Sequence, residues 1–152
     1  MGATTIWERW NSVLPDGSIS DTGMNSLNHY AYGSIVEWVY RYMCGINPSE
    51  ENAGFKEFMI KPYVDNRFEY ANAEYYSVYG LIKSGWKKVK NGWKFNITVP
   101  FDTKALFIIE DRLTGAVSVE AKGENEIIEK RLGERREAVL YPGSYEIIVK
   151  DF

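Results

Sequence analysis

At 152 residues the chain can form one domain, or one domain with an appended segment. Hydrophobic residues at 45% and charged residues at 26% are ordinary for a globular chain, and a net charge of -3 gives no electrostatic case for nucleic acid or an anionic membrane surface. The single cysteine, Cys44, excludes an internal disulfide, and no apolar run approaches the ~20 residues of a membrane-spanning helix.

The first informative stretch is Gly2-Ala3-Thr4-Thr5-Ile6-Trp7-Glu8-Arg9-Trp10. Two indoles flank a carboxylate there, and the only histidine, His29, follows further along. Indole, carboxylate and imidazole together suit a sugar: apolar ring faces stack on tryptophan, and hydroxyls hydrogen-bond to charged groups. Asp16 and Asp21 sit in a loop of Pro, Gly and Ser and read as turn residues holding their own backbone. A loop of this kind has nothing ahead of it to hold it, so residues 2–24 are expected to pack poorly, or against a neighbouring molecule. The stretch reads as a piece of a larger enzyme.

A helix is expected over about residues 26–44, capped by Asn25 or Ser26. Leu27, Ala31, Ile35, Trp38 and Tyr42 form one apolar stripe, and Tyr32, Val36, Val39 and Met43 form another. Such a helix is normally buried on several sides. The exposed remainder is a candidate surface for self-association. Cys44 falls in the apolar pattern and reads as a small core residue. Residues 45–52 carry a helix stop and linker signal, with Gly45 followed by Pro48.

Composition changes at that point. Residues 1–47 carry only Glu8, Arg9, Asp16, Asp21, Glu37 and Arg41 of the 18 basic and 21 acidic residues in the chain. The predicted division is therefore 1–47 and 48–152. The second part reads as strands over 55–60, 69–79, 81–89, 93–99, 104–110, 116–121, 126–130, 137–140 and 144–150. Asn91-Gly92 between two such runs is a strong hairpin signal. Short strands with turn signals at this spacing predict a mainly β fold, an antiparallel β-sandwich. No phosphate-binding glycine loop or metal-ligand cluster is present in the sequence, and no cofactor or metal is expected.

The residues quoted above also carry a family likeness. The first stretch, Gly23-Met24-Asn25-Ser26-Leu27-Asn28-His29-Tyr30, and the helix from Gly33 to Tyr42 resemble the C-terminal end of bacterial-type α-L-rhamnosidases. These are inverting glycoside hydrolases built on an (α/α)6 barrel. Gly54-Phe55-Lys56 through Ile60-Lys61-Pro62 resembles the entry to the β-sandwich behind that barrel. Tyr79-Gly80, Ser84-Gly85-Trp86 and Pro142-Gly143-Ser144-Tyr145 fit that module more loosely.

The resemblance implies that residues 1–47 supply a loop and the last helix of the barrel, and residues 48–152 the sandwich. It implies that Glu8 is the general base of an inverting hydrolysis, with the acid from a segment outside this sequence. His29 would hydrogen-bond the rhamnose, with Trp7 and Trp10 walling the pocket. The partners implied are rhamnose-containing glycosides, and the chain by itself is expected to be inactive. The alternative is a non-catalytic module, either structural or carbohydrate-binding. Its aromatic platform would come from Tyr75, Tyr76, Tyr79, Trp86 and Trp93, although strand alternation argues against all five being exposed together.

Overall fold

The computed structural model describes residues 2–21, 23–110, 113, 117–122, 128–132 and 135–150. They fall into two compact units, Met1–Trp38 and Val39–Phe152.

The first unit is a loop followed by a helical start. It has a 3₁₀ turn at Tyr30–Gly33 and then α1 (Ser34–Trp38). The helix thus begins later than its apolar pattern suggested. The backbone of residues 26–29 is already engaged: the His29 N–H donates to the Ile6 carbonyl, and the Ser26 carbonyl accepts from the Glu8 N–H, both at 2.8 Å. Groups held in that cross-loop ladder are not available to a helix. Neither expected cap acts as one. Asn25 instead donates its side-chain amide to the Ser12 and Ser20 carbonyls at 3.1 and 3.2 Å. Within this unit the apolar stripes stay open: Tyr32 is 52%, Ile35 59%, Val36 54% and Trp38 43% exposed.

The second unit is mainly β. It opens with a π-helical turn at Val39–Met43. The strands are β1 (Ile46–Pro48), β2 (Glu57–Ile60), β3 (Tyr70–Ser77), β4 (Gly80–Val89), β5 (Gly92–Val99) and β6 (Lys104–Ile109). They are followed by β7 (Val117–Lys122), β8 (Ile128–Leu132), β9 (Arg135–Leu140) and β10 (Gly143–Lys150). Two five-stranded sheets result, ordered β1-β2-β6-β9-β8 and β3-β4-β5-β10-β7. The segment read as a linker contributes β1, which pairs with β2 from Ile46–Ile60 to Pro48–Phe58. Ala116, Glu126 and Ile127, expected at strand starts, lie outside the described residues.

The pairings are antiparallel, except that β2 and β6 run parallel with Glu57 opposite Lys104. A parallel pair needs a crossover connection. Here β3, β4 and β5 of the opposite sheet provide it. Alternation puts Phe58 and Ile60 of β2, Ala105 and Phe107 of β6, and Trp93, Phe95, Ile97 and Val99 of β5 into one core. Phe95 and Phe107 meet edge-on across the two sheets at 5.5 Å. The hairpin read from Asn91-Gly92 joins β4 to β5, with Asn91 at φ 64°.

The end of the π turn is tied into this core. Gly45 (φ +76°) lets the chain leave the helix, and a Cβ there would lie 2.2 Å from the Lys61 carbonyl carbon. Trp86 Nε1–H donates to the Met43 carbonyl at 2.7 Å, and the Ser84 hydroxyl donates to the Cys44 carbonyl at 2.6 Å. Carbonyls at a helix end have no partner within the helix, so these two inward-facing β4 side chains satisfy groups that would otherwise be buried and unpaired. Trp86→Phe keeps the ring and removes the donor. We expect it to lower unfolding stability in urea by about 1–3 kcal/mol, and an unchanged midpoint would exclude this role.

Cys44 is fully buried, as expected of a core thiol, and burial pushes its thiol up to about 11. A disulfide reagent at pH 8 should therefore leave the native chain unmodified and react only on unfolding. Fast labelling of the native chain would contradict the burial.

Candidate active site

The loop of the first unit is organised by its own backbone. Ser20 N–H donates to the Ser12 carbonyl at 3.0 Å, and Leu14 N–H to the Ser18 carbonyl at 2.8 Å, closing a small hairpin around Asp16. Asp16 holds that turn as its sequence position suggested. Its carboxylate accepts from the Ser18 hydroxyl at 2.7 Å and the Ser18 N–H at 3.0 Å. The Ser18 hydroxyl, then the Ser18 N–H, hold this carboxyl below the usual carboxylate range. Asp21 accepts the Gly23 N–H at its carbonyl, at 2.7 Å.

Glu8 sits on the other arm of the loop, where residues 6–8 run beside 26–29. Its Oε2 accepts the Ser26 N–H at 2.8 Å, and His29 Nδ1 lies 3.8 Å from the same oxygen. The carboxylate is 19% and the imidazole 29% exposed, so both are sheltered yet reachable. Tyr32 donates its hydroxyl to the Glu8 carbonyl at 3.2 Å, and its ring lies 5.1 Å from the His29 ring. Thr5 Oγ1 donates to the Leu27 carbonyl, and the Arg9 guanidinium to the Met24 carbonyl. Arg9 thus has a backbone acceptor.

A depression of about 570 Å³ opens beside this carboxylate, lined by Gly2, Thr5, Trp7, Glu8, Trp10 and Tyr32 among others. Three of the four expected site residues, Glu8, Trp7 and Trp10, therefore share one wall. His29 does not line the depression and reaches it only through Glu8. Trp7 is half-buried, whereas Trp10 is 95% exposed, with its ring presented to solvent. Tyr32 was missed as a site residue. Its position in an apolar helical stripe gave it a packing role, and only the 3₁₀ turn at Tyr30–Gly33 directs it back to the loop.

The second unit corrects the alternative aromatic platform. Trp86 and Trp93 are 1% and 4% exposed and stack edge-on at 5.2 Å inside the sandwich. Their inward positions in β4 and β5 forbid a surface role. Tyr75, Tyr76 and Tyr79 are exposed, and Phe55 packs on Tyr75 at 4.8 Å.

The described residues thus form a mainly β unit and a separate loop unit that carries a sheltered carboxylate between two tryptophans. The family model for the bacterial α-L-rhamnosidase C-terminal domain matches residues 45–124, and that for the six-hairpin glycosidase domain of the same enzymes matches residues 1–43. The chain belongs to the bacterial α-L-rhamnosidase family. An α-L-rhamnosidase of Streptomyces avermitilis is 39% identical over 104 residues, 68% of this chain and 10% of that protein. One of Formosa agariphila is 36% identical over 154 residues, 98% of this chain and 16% of that protein. The crystal structure of the Streptomyces avermitilis enzyme complexed with L-rhamnose superposes with a TM-score of 0.71 at 31% identity, covering 98% of this chain and 14% of that one. The chain thus spans between a tenth and a sixth of the length of these relatives.

The exposure of Trp10 has a direct consequence. Trp10→Phe should remove the largest single share of the tryptophan fluorescence that iodide quenches, because Trp86 and Trp93 are shielded and Trp38 is less than half as exposed. It should leave stability within about 0.5 kcal/mol. Quenching undiminished in the variant would show that the ring is covered.

Proposed function

We propose that this chain is the C-terminal part of an α-L-rhamnosidase that releases terminal α-L-rhamnosyl residues with inversion. Its loop and helix would complete the glycosidase barrel, and its strands form the sandwich behind it. The observation that carries the reading is the Glu8 carboxylate, held by the Ser26 N–H at 2.8 Å, beside Trp7 and Trp10 in one depression.

In this reading Glu8 is the general base. Both of its side-chain contacts fall on Oε2, which leaves Oε1 to take a proton from the attacking water. Inversion requires an acid on the opposite side of the sugar, with the two carboxyl groups about 6.5–9.5 Å apart so that water fits between them. That acid comes from a preceding part of the enzyme. Trp7 and Trp10 wall the subsite, and His29 stands behind Glu8, 3.8 Å from its Oε2.

The chain by itself should leave p-nitrophenyl α-L-rhamnoside intact, since it has the base without the acid or most of the pocket. Fused in place of the corresponding end of the Streptomyces avermitilis enzyme, it should restore hydrolysis. In that chimaera Glu8→Gln should lower kcat by about 10²–10⁴-fold with little change in KM. A Glu8→Gln chimaera that keeps its activity would remove Glu8 from the chemistry. Turnover by the chain alone would place a second catalytic carboxyl within it.

The open apolar face of the helix is assigned to the preceding barrel helices, since the match to the six-hairpin domain ends at this helix. Without them, the face should drive reversible self-association. Gel filtration should show a mass that rises with concentration, and Ile35→Glu with Val36→Lys should return it to the monomer. A concentration-independent monomer would count against this assignment.

A further inference from the structure

The outer face of the second sheet breaks strand composition at one place. Asn72 of β3 lies opposite Gly85 of β4, and Gly85 lies opposite Asn96 of β5. Asn and Gly are depleted in strands, and here three of them stand abreast in three neighbouring strands. A local conflict of this kind is where functional residues concentrate.

Gly85 does not have a positive φ, so the backbone does not require it. A Cβ there would come 2.1 Å from Asn72 Oδ1 and 3.2 Å from the Ala71 carbonyl oxygen. The missing side chain lets the Asn72 amide lie across β4. The result is a depression of about 460 Å³ with Tyr70, Asn72, Lys87 and Asn96 on its wall. Tyr70 is 65% exposed and shares the outer face with Asn72.

Other polar groups of the same face are internally paired. Lys83 bonds Glu74 at 2.7 Å, Thr98 bonds Ser144 at 3.3 Å, and Lys94 pairs with Glu146. The Asn72 and Asn96 side chains, by contrast, make no hydrogen bond among the described residues. Polar side chains around the two asparagines are thus paired with one another, Glu146 opposite Asn96 included, while the two amides remain to be used.

We propose that this trough binds a neutral saccharide, with a pyranose ring stacked on Tyr70 and its hydroxyls bonded by Asn72 and Asn96. A primary amide carries both donors and an acceptor, which suits vicinal hydroxyls, and an aromatic face suits the apolar side of the ring. The strands that carry the two amides are two spacings apart, about 9–10 Å, and the Asn72 amide reaches over the strand between them. The volume falls within the range of about 300–1,000 Å³ of small-molecule sites. The choice of a sugar rests on these residues. The α-L-rhamnosidase reading enters only in selecting the first probe.

The test is a titration of the isotope-labelled chain with methyl α-L-rhamnoside and, separately, with cellotetraose. Saturable shifts of the Gly85 amide and the Asn72 and Asn96 side-chain amides with either probe support the trough. Asn72→Ala and Tyr70→Ala change exposed side chains, and each should weaken that binding by about tenfold or more. Absence of shifts at these positions with both probes at millimolar concentrations overturns the proposal, as does undiminished binding by both variants. Rhamnoside hydrolysis by the chimaera is a separate readout, so failure here and failure of the Glu8 reading remain distinguishable.

Discussion

Two hydrogen bonds in the sandwich core set the constraint on which the second unit depends. Trp86 and Ser84 project inward from β4 and take the Met43 and Cys44 carbonyls where the π turn ends. A helix cannot end inside a hydrophobic core unless its last carbonyls are paired. The indole therefore does more than fill space: it packs edge-on with Trp93 and its N–H donates to the Met43 carbonyl. Gly45 then turns the chain, and β1 joins the sheet immediately. The end of the π turn and the start of β1 are thereby joined directly within the second unit.

The candidate active site depends on a different device. The carboxylate of Glu8 is fixed by the backbone of the returning strand of the loop, through Ser26, and the ladder that places Ser26 also delays the start of the helix. Loop order and helix start are therefore one event. A change that lets residues 26–29 wind into helix would withdraw the N–H that orients Glu8. This is a physical reason for the helix to open with a tight 3₁₀ turn, from which Tyr32 reaches the Glu8 carbonyl.

The two faces of the second sheet show how one strand serves two ends. Along β4, Ile82, Ser84 and Trp86 build the core and the helix anchor, while Lys83, Gly85 and Lys87 alternate to the outside. The inward set is under packing constraint. The outward set includes a glycine that neither backbone geometry nor core packing requires, and that position is where the proposed sugar trough forms.

Much of this was legible in the chain. Period-two alternation located the strands of the sandwich, because burying one sheet face leaves a direct trace in sequence. Asn91-Gly92 fixed the β4–β5 hairpin through the positive φ it tolerates, and the motif around Glu8 carried the family. What sequence could not supply was long-range pairing. The parallel match of β2 with β6 is decided by a crossover through the other sheet. The start of the helix is decided by residues 6–8, far from it in sequence. The burial of Trp86 and Trp93, the return of Tyr32 to the loop, and the position of His29 behind Glu8 rather than on the pocket wall are likewise tertiary facts. Local patterns report which face of a strand is apolar; only the packed structure decides which neighbour each backbone group and each aromatic ring will meet.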